Sequence, residues 1–164
     1  MIKLLVLDVD GCLTDGSIIY TAEGDELKAF NVKDGLAVKS AARLGIKTAI
    51  ITGRNSKVVA RRAKEFEVAH LYQGIKQKQE CLDAIVAKEG LEYAQVAAIG
   101  DDLNDAKMLQ KAGLSATPAD GSTQVKQLVD LVLQNGGGQG ALREFIEYIF
   151  KRDNLYEVFL DQWL

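Results

Sequence analysis

The strongest constraint on the fold is an alternation of short apolar runs with amphipathic helical stretches. The first run, Ile2 to Val9, is interrupted only by Lys3 and Asp8, as expected for a central parallel strand covered on both faces. Further apolar runs occur at Thr48 to Thr52, around Leu71, at Val96 to Gly100 and near Leu114. Helical spacing marks the stretches Asp34 to Leu44, Ser56 to Phe66, Gln77 to Glu89, Leu103 to Ala112 and Ala141 to Phe150. This order predicts an α/β fold with a doubly wound, mainly parallel, Rossmann-like sheet.

One segment departs from this alternation. Ile18 to Tyr20 and Leu27 to Asn31, joined by Glu23-Gly24-Asp25, predict a small β-hairpin inserted at about 16–32. We find no linker or repeat, and 164 residues suffice for one domain with a proper core. We therefore predict a single domain over residues 1–164. Its tail, at about 151–164, is apolar enough to dock on its own core or on another subunit.

Composition and charge exclude several functional classes. With 48% hydrophobic residues and a net charge of −3, the chain has neither the composition of a disordered protein nor an excess of basic residues for nucleic acid. No apolar run reaches the roughly 18 residues of a membrane span. The opening MIKLLVLDVDG meets acidic residues too early for a secretory signal. Cys12 and Cys81, which lack metal-site spacing, predict free thiols in a reducing cytoplasm.

Polar side chains follow the predicted strands where the sheet should have its carboxyl edge, the usual place of the active site in such folds. These are Asp8 and Asp10, then Thr52, Gly53 and Arg54, then Lys78, and last Asp101, Asp102 and Asp105. Crowded aspartates repel one another unless a cation lies among them, and oxygen ligands favour Mg²⁺ over Zn²⁺. A lysine and a threonine suit an anion, and phosphate is the natural one.

Two carboxylates at this edge can divide the work of phosphate ester hydrolysis. One carboxylate can attack phosphorus and form an acyl phosphate. The second, two residues along, can protonate the leaving oxygen and later deprotonate the attacking water. The residues therefore indicate a Mg²⁺-dependent phosphomonoesterase that acts on a small molecule.

Four segments make this pattern specific. Asp8-Val9-Asp10-Gly11-Cys12-Leu13-Thr14, Thr52-Gly53, Lys78 and Gly100-Asp101-Asp102-Leu103-Asn104-Asp105 resemble, in order and spacing, the motifs of the haloacid dehalogenase-like phosphatases. The resemblance implies that Asp8 is the nucleophile, that Asp10 is the general acid/base, and that Thr52 and Lys78 hold the phosphoryl group. It implies Mg²⁺ on Asp8, on the Asp10 carbonyl and on Asp101. Asp105 would be a supporting carboxylate, and Asp102 would orient water or a neighbouring cation.

Further segments resemble the capless branch of this family, whose members act on phosphorylated eight- or nine-carbon keto sugar acids. They are Asp15-Gly16, Lys28 to Gly35, Ile51 to Arg54, Leu71 to Gly74 and Gly137 to Glu144. The resemblance implies substrate contacts from Asp10, Asn31, Val32, Lys33, Asp34, Gly35, Lys39, Gly53, Arg54, Arg62 and Lys78. Lys33, Lys39 and Gln139 stand where the family has arginines, and lysine keeps the charge but loses the planar fork.

The identity of the sugar acid depends mainly on Arg54. In the resembling branch an arginine at this position goes with octulosonate 8-phosphate, which is used in lipopolysaccharide precursor synthesis, and an acidic residue goes with the nonulosonate 9-phosphates. We therefore favour the eight-carbon substrate and keep the nine-carbon one as the alternative. Arg54 could also be an ordinary surface arginine.

The resemblance also bears on assembly. Residues 16–47 and 55–77, the two gaps where relatives carry a cap, hold 32 and 23 residues, whereas a compact domain needs about 50. The resemblance implies a homotetramer formed through the hairpin, with Gly137 to Arg143 or the tail ending at Leu164 covering a neighbouring site. Ile18, Ile19, Tyr20 and Phe30 would otherwise be exposed in a monomer.

Two other classes are considered. Response-regulator receiver domains share the aspartates, Thr, Lys and Mg²⁺, but their phospho-accepting Asp follows a middle strand, where this chain has Thr52. An idle scaffold would have no reason to keep Asp8 and Asp10 together. Glycines 136 to 138 have two interpretations, as simple turn residues or as part of a neighbouring site.

Overall fold

The computed structural model describes all 164 residues and contains a six-stranded sheet and a separate two-stranded hairpin. The strands are β1 (Leu4–Leu7), β2 (Ile19–Tyr20), β3 (Glu26–Leu27), β4 (Lys47–Ile51), β5 (His70–Tyr72), β6 (Val96–Ile99), β7 (Leu114–Thr117) and β8 (Leu131–Val132). The helices are α1 (Val32–Arg43), α2 (Lys57–Phe66), α3 (Lys78–Glu89), α4 (Ala106–Lys111), α5 (Thr123–Lys126), α6 (Ala141–Arg152) and α7 (Tyr156–Asp161), with 3₁₀ turns at Tyr93–Gln95 and Leu103–Asp105.

The large sheet has the strand order β5-β4-β1-β6-β7-β8, and every pair in it is parallel. β1 lies in the middle, where Leu7 is in register with Ile50 of β4 and Ile99 of β6. The chain builds one half of the sheet from β1 to β5 and then crosses to β6 on the other side of β1. This is the switch in strand order beside which α/β proteins bind ligands, and it confirms the doubly wound prediction.

Helices cover both faces of the sheet, and the side chains of β1 divide between two cores. Leu5 and Leu7 belong to a cluster of 26 buried residues that packs beneath α1, α2, α6 and α7. Leu4 and Val6 point to the opposite face, in a cluster of 12 residues with α3, α4 and α5. This alternation is the period of two that a strand imposes, and it explains why the apolar run of β1 is continuous.

The structure corrects several predicted boundaries. The second hairpin strand is Glu26–Leu27 and stops before Asn31, because the Asn31 side chain caps α1 by accepting from the Lys33 amide at 2.9 Å. The predicted helix Leu103 to Ala112 starts as a 3₁₀ turn, because the Asp105 carboxylate is turned inward onto the Asp101 and Asp102 amides.

Three short elements were not predicted from the sequence. α5 and β8 have four and two residues, too few to show a periodicity. The third, α7, lies in the apolar tail and packs on the core of its own chain, with the Phe159 ring 5.1 Å from that of Phe150. No helix combines the length and the apolar character needed to cross a bilayer.

Candidate active site

The site begins at the end of β1 with a buried ion-pair triad, defined by Asp8, Lys78 and Asp105. Lys78, the first residue of α3, donates from Nζ to Asp8 Oδ1 at 2.6 Å and to Asp105 Oδ1 at 2.5 Å. All three side chains are almost fully buried. The parallel pairing of β1 and β6 brings Asp8 and Asp105 to the same edge of the sheet, because Asp8 follows β1 and Asp105 lies in the turn after β6.

The electrostatics of this triad favour a bound cation. Burial, with the nearby Asp105 carboxylate, raises the pKa of Asp8 to about 8 despite the opposing effect of Lys78. Burial and the neighbouring Asp105 and Asp102 carboxylates raise the pKa of Asp101 to about 6. Burial lowers the pKa of Lys78, but the Asp8 and Asp105 carboxylates outweigh it, and the net direction is upward.

The first motif owes its tight turn to Gly11. Gly11 has φ +89°, and a Cβ at this position would lie 2.0 Å from Asp101 Oδ2. Only glycine therefore lets Asp101 come against the loop that carries Asp8 and Asp10. Asp105 fixes the other side, because its Oδ2 accepts the Asp101 amide at 3.0 Å.

A polar cavity of about 280 Å³ opens above these groups. Its lining has no apolar side chain and consists of Asp8, Asp10, Gly16, Thr52, Gly53, Arg54, Asp101, Asp102 and Asn104. Three larger cavities lie elsewhere on the surface. The polar cavity of about 280 Å³ is the one lined by predicted catalytic residues, among them Asp8, Asp10 and Thr52. Its wholly polar lining suits a charged group such as a phosphoryl group.

The residues of the cavity fit a divalent cation. Single ligand atoms of Asp8, Asp101 and Cys12 lie within 4.8 Å of one another. Burial, with the Asp8 charge, holds the pKa of the Cys12 thiol well above its ordinary value, so the sulfur stays protonated and is a poor ligand. The carboxylate oxygens that remain are the donors that Mg²⁺ prefers.

Six of the predicted substrate residues fall into three groups. Gly53 and Arg54 line the polar cavity, where Arg54 donates to Tyr20 Oη at 3.0 Å and to Glu26 Oε1 at 3.2 Å. Arg62 and Val32 line a second cavity of about 390 Å³, in which Arg62 stacks on the Phe30 and Phe66 rings. The last group lies outside both cavities. Lys39 is exposed on α1, and Lys33 lines a third cavity of about 680 Å³ beside α6. The substrate contacts of all three groups stay predictions.

Asn31, Asp34 and Gly35 hold the start of α1 near the second cavity. The Asn31 carbonyl accepts from Arg62 Nη2 at 3.4 Å, and Gly35 lies against the same guanidinium. Asp34 Oδ1 accepts the Arg143 amide at 2.9 Å, and burial raises its pKa to about 6 despite Arg62 and Arg143.

The sequence interpretation gave Lys28 no role, yet this lysine contacts Asp10. Its Nζ donates to Asp10 Oδ1 and lies 3.1 Å from Glu26 Oε1. The sequence pattern did not indicate this contact, because Lys28 follows the last residue of β3 and its approach to Asp10 depends on how the hairpin folds back. Cys12 and Cys81 are unpaired, as predicted.

Comparison with known proteins shows the family to which the chain is similar. The sequence model of the haloacid dehalogenase-like hydrolases matches residues 25–113. The 3-deoxy-D-manno-octulosonate 8-phosphate phosphatase of Escherichia coli K12 is 41% identical over 148 residues, which cover 90% of this chain and 79% of that protein. A crystal structure of the phosphatase of that name from Moraxella catarrhalis, in complex with magnesium, phosphate and KDO, superposes with a TM-score of 0.97 at 43% identity, covering 99% of this chain and 94% of that one. The cobalt-bound deoxy-D-mannose-octulosonate 8-phosphate phosphatase of Haemophilus influenzae gives 0.92 at 35% identity, with coverages of 96% and 92%.

Proposed function

The chain belongs to the haloacid dehalogenase-like hydrolases, and on that premise we propose that it is a Mg²⁺-dependent phosphomonoesterase that converts 3-deoxy-D-manno-octulosonate 8-phosphate to the free sugar acid and phosphate. The observation that carries the proposal is the triad of Asp8, Lys78 and Asp105 at the base of a wholly polar cavity. Relatives that match 90% and 99% of this chain bear the name of this activity.

The residues support a two-step reaction. An Asp8 oxygen attacks phosphorus and forms an aspartyl phosphate, while the bond from phosphorus to the sugar oxygen breaks and Asp10 gives that oxygen its proton. Asp10 then takes a proton from a water that attacks the same phosphorus, which releases phosphate and restores Asp8. Thr52, which lines the cavity, supplies a hydroxyl to the phosphoryl oxygens, and Lys78, buried against Asp8, supplies a positive charge beside them.

Asp8, the Asp10 carbonyl and Asp101 are the groups that would hold Mg²⁺. When bound, the ion offsets negative charge on the phosphoryl group, so that a carboxylate can approach phosphorus. Asp102, at the exposed rim, and Asp105, beneath Lys78, complete the carboxylate set in supporting roles.

The decisive test is a phosphate-release screen over sugar phosphates with and without Mg²⁺. The octulosonate 8-phosphate and the nonulosonate 9-phosphates are assayed side by side, because the second class is the alternative substrate. We expect Mg²⁺-dependent release that is fastest from the octulosonate ester. Equal or faster release from a nine-carbon ester would overturn the substrate assignment, and no release from any ester would overturn the enzyme itself.

Arg54 is proposed to read the substrate carboxylate, since it lies at the mouth of the cavity with its side chain 42% exposed. A guanidinium holds a carboxylate through two charge-assisted hydrogen bonds. Arg54→Ala should therefore raise KM for the keto sugar acid phosphate by at least about tenfold. KM for p-nitrophenyl phosphate, which has no carboxylate, should change far less. An equal effect on both substrates would show that Arg54 does not read the carboxylate.

We also propose that the enzyme is a cytoplasmic homotetramer. Two unpaired cysteines support a reducing compartment. The exposed apolar side chains of the hairpin, Ile18, Ile19, Tyr20 and Leu27, support contact between copies of the chain.

A further inference from the structure

The hairpin places a lysine on the residue that transfers protons in the proposed reaction. The Lys28 side chain has no exposed surface, although its backbone is partly exposed. Its Nζ donates to Asp10 Oδ1, and no other side chain forms a hydrogen bond with Asp10. The second carboxylate oxygen of Asp10 is left for chemistry, on a residue that lines the polar cavity.

The contact belongs to a longer chain of charges across the hairpin. Glu26 Oε1 lies 3.1 Å from Lys28 Nζ and 3.2 Å from Arg54 Nη2, and Arg54 also donates to Tyr20 Oη. Charged side chains thus connect Asp10, through Lys28 and Glu26, to the arginine at the cavity mouth. Lys28 also lines the second cavity, so it stands between the two.

A purely structural role explains these contacts less well. Burying an ammonium group costs free energy unless carboxylates compensate its charge. A structural role would need only an exposed pair between a lysine and Glu26 at the hairpin surface, without burial against Asp10. The hairpin is already tied to the core by Arg54 through Glu26 and Tyr20. The extra contact, from Lys28 to Asp10, is not needed for that attachment.

We propose that Lys28 is a positioning residue for Asp10. It holds one carboxylate oxygen so that the other faces the leaving oxygen and then the attacking water. The inference rests on the proposed phosphatase function and adds to it a residue outside the four motifs. Proton transfer depends steeply on geometry, and a displacement of about 1 Å at a reacting group can cost about a hundredfold in rate.

The test compares Lys28→Met with Lys111→Met. Lys111 pairs with Asp83 at 2.7 Å and is absent from the lining of all three cavities, so its loss removes an ion pair without touching the site. With the octulosonate ester and Mg²⁺, Lys28→Met should lower kcat by about 10- to 100-fold with a small change in KM. Lys111→Met should keep the wild-type kcat. Lys28→Arg should restore most of kcat, because a guanidinium can also donate to Asp10.

The two steps of the reaction can be measured separately, as the first turnover and the later turnovers. A purely structural role of Lys28 would not slow one step more than the other. p-Nitrophenolate leaves without needing a proton, so rapid mixing of Lys28→Met with p-nitrophenyl phosphate should keep a fast first turnover. Later turnovers should be slow, because water activation still goes through Asp10. A first turnover slowed as much as the later ones would overturn the positioning role.

Folding, assembly and the reaction itself are separated by controls. Lys28→Met should lose stability in urea, because Asp10 and Glu26 lose this partner, but light scattering and circular dichroism at the assay temperature should show the wild-type mass and a folded chain. A loss of kcat that follows a loss of mass or of folded protein would overturn the inference. A wild-type kcat in Lys28→Met would overturn the inference alone and leave the proposed function standing. A wild-type enzyme that releases no phosphate from either ester would overturn both.

Discussion

At the scale of single residues, one buried ammonium group serves two carboxylates. Lys78 Nζ contacts Asp8 and Asp105 at 2.6 and 2.5 Å, so its positive charge lies against the proposed nucleophile. Removing one partner of such a buried pair leaves an uncompensated charge, which typically costs about 3–5 kcal/mol of stability. A loss of activity in a Lys78 variant could therefore come from unfolding as well as from lost catalysis. Isosteric changes of the carboxylates separate the two effects more clearly.

Asp8→Asn is the first such test. The amide keeps the size of the side chain and can still accept from Lys78, but it is a poor nucleophile. We expect turnover of the octulosonate ester to fall by roughly 10³-fold or more, with the fold intact by circular dichroism. Asp83→Asn, purified in parallel, is the matched carboxylate control and should keep wild-type turnover, because Asp83 pairs only with Lys111 and Tyr93. A mock purification from cells that do not express the chain measures contaminating phosphatase. More than about a tenth of wild-type turnover in a clean preparation would contradict the assignment of the nucleophile.

Asp34 links stability to pH. Burial raises its folded pKa to about 6, above the usual value near 3.9 of an unfolded chain. The folded state therefore binds the extra proton, and the stability gained from protonation is full below about pH 4 and is lost as pH rises through 6. Between pH 5 and 7.5 the unfolding free energy of the wild type should fall relative to Asp34→Asn by about 1 kcal/mol. Asn keeps an oxygen for the Arg143 amide. Urea titrations at both pH values measure the difference, and a constant gap would contradict the raised pKa.

At the scale of elements, the loop Gly136–Gly140 supports the first motif from behind. A Cβ on Gly137 would lie 1.9 Å from the Gly11 carbonyl oxygen, and the Gly138 amide donates to the Cys12 carbonyl at 3.1 Å. The glycines therefore allow two backbones to pack together at the loop that carries Asp8 and Asp10. This contact within one chain supports the interpretation of glycines 136 to 138 as structural turn residues. A role of the same segment at the site of a neighbouring copy stays a prediction.

Gly137→Ala should consequently damage both stability and catalysis. Overpacking against the Gly11 and Thr14 carbonyls should cost about 1–3 kcal/mol and displace the first motif, with a clear fall in kcat. Gly45→Ala is the matched control. Gly45 has φ +80° with open space around it, so alanine there brings backbone strain of about 1 kcal/mol and no steric clash. Urea unfolding and kcat are measured for both variants. If Gly137→Ala kept the wild-type kcat, the loop would not support the site.

The predictable parts of the site are those placed by the regular geometry of the sheet, and the unpredictable parts are side-chain contacts between elements that the sheet does not hold in register. Asp8, Thr52 and Asp101 could be placed together from sequence because each follows a strand, and parallel strands bring their carboxyl ends to one edge. Lys28 on Asp10 and Asp34 on Arg143 depend on how a hairpin and a late helix fold back, which no periodicity records. The 3₁₀ start of the helix at Leu103 was missed because it depends on where the Asp105 carboxylate points: Oδ2 accepts the Asp101 and Asp102 amides, and Oδ1 accepts from Lys78.

At the scale of the whole molecule, no separate domain of the single chain covers the active site. No cap domain is present in the 164 residues, and the two-stranded hairpin reaches the polar cavity of about 280 Å³ only through its contacts with Arg54 and Asp10 at the lining. Phosphoryl transfer benefits from the exclusion of bulk water. That hairpin carries Ile19, Tyr20 and Leu27 at 47%, 61% and 54% exposure, a set of apolar side chains that a second copy of the chain could cover. The tail, in contrast, is partly occupied, because Phe159 is buried and Trp163 Nε1 donates to Ser40 Oγ of the same chain.

We therefore expect a homotetramer assembled through the hairpin. Light scattering should give four times 17.9 kDa, about 72 kDa, and activity per chain should fall when dilution dissociates the assembly. Ile19→Glu puts a charge into the predicted contact and should give smaller species with weaker activity. Leu128→Glu is the matched control, because Leu128 is similarly exposed at 40% but follows α5, far along the chain from the hairpin, and it should keep the wild-type mass. A wild-type mass near 18 kDa with full activity at dilute concentration would show that a single chain encloses its substrate without help.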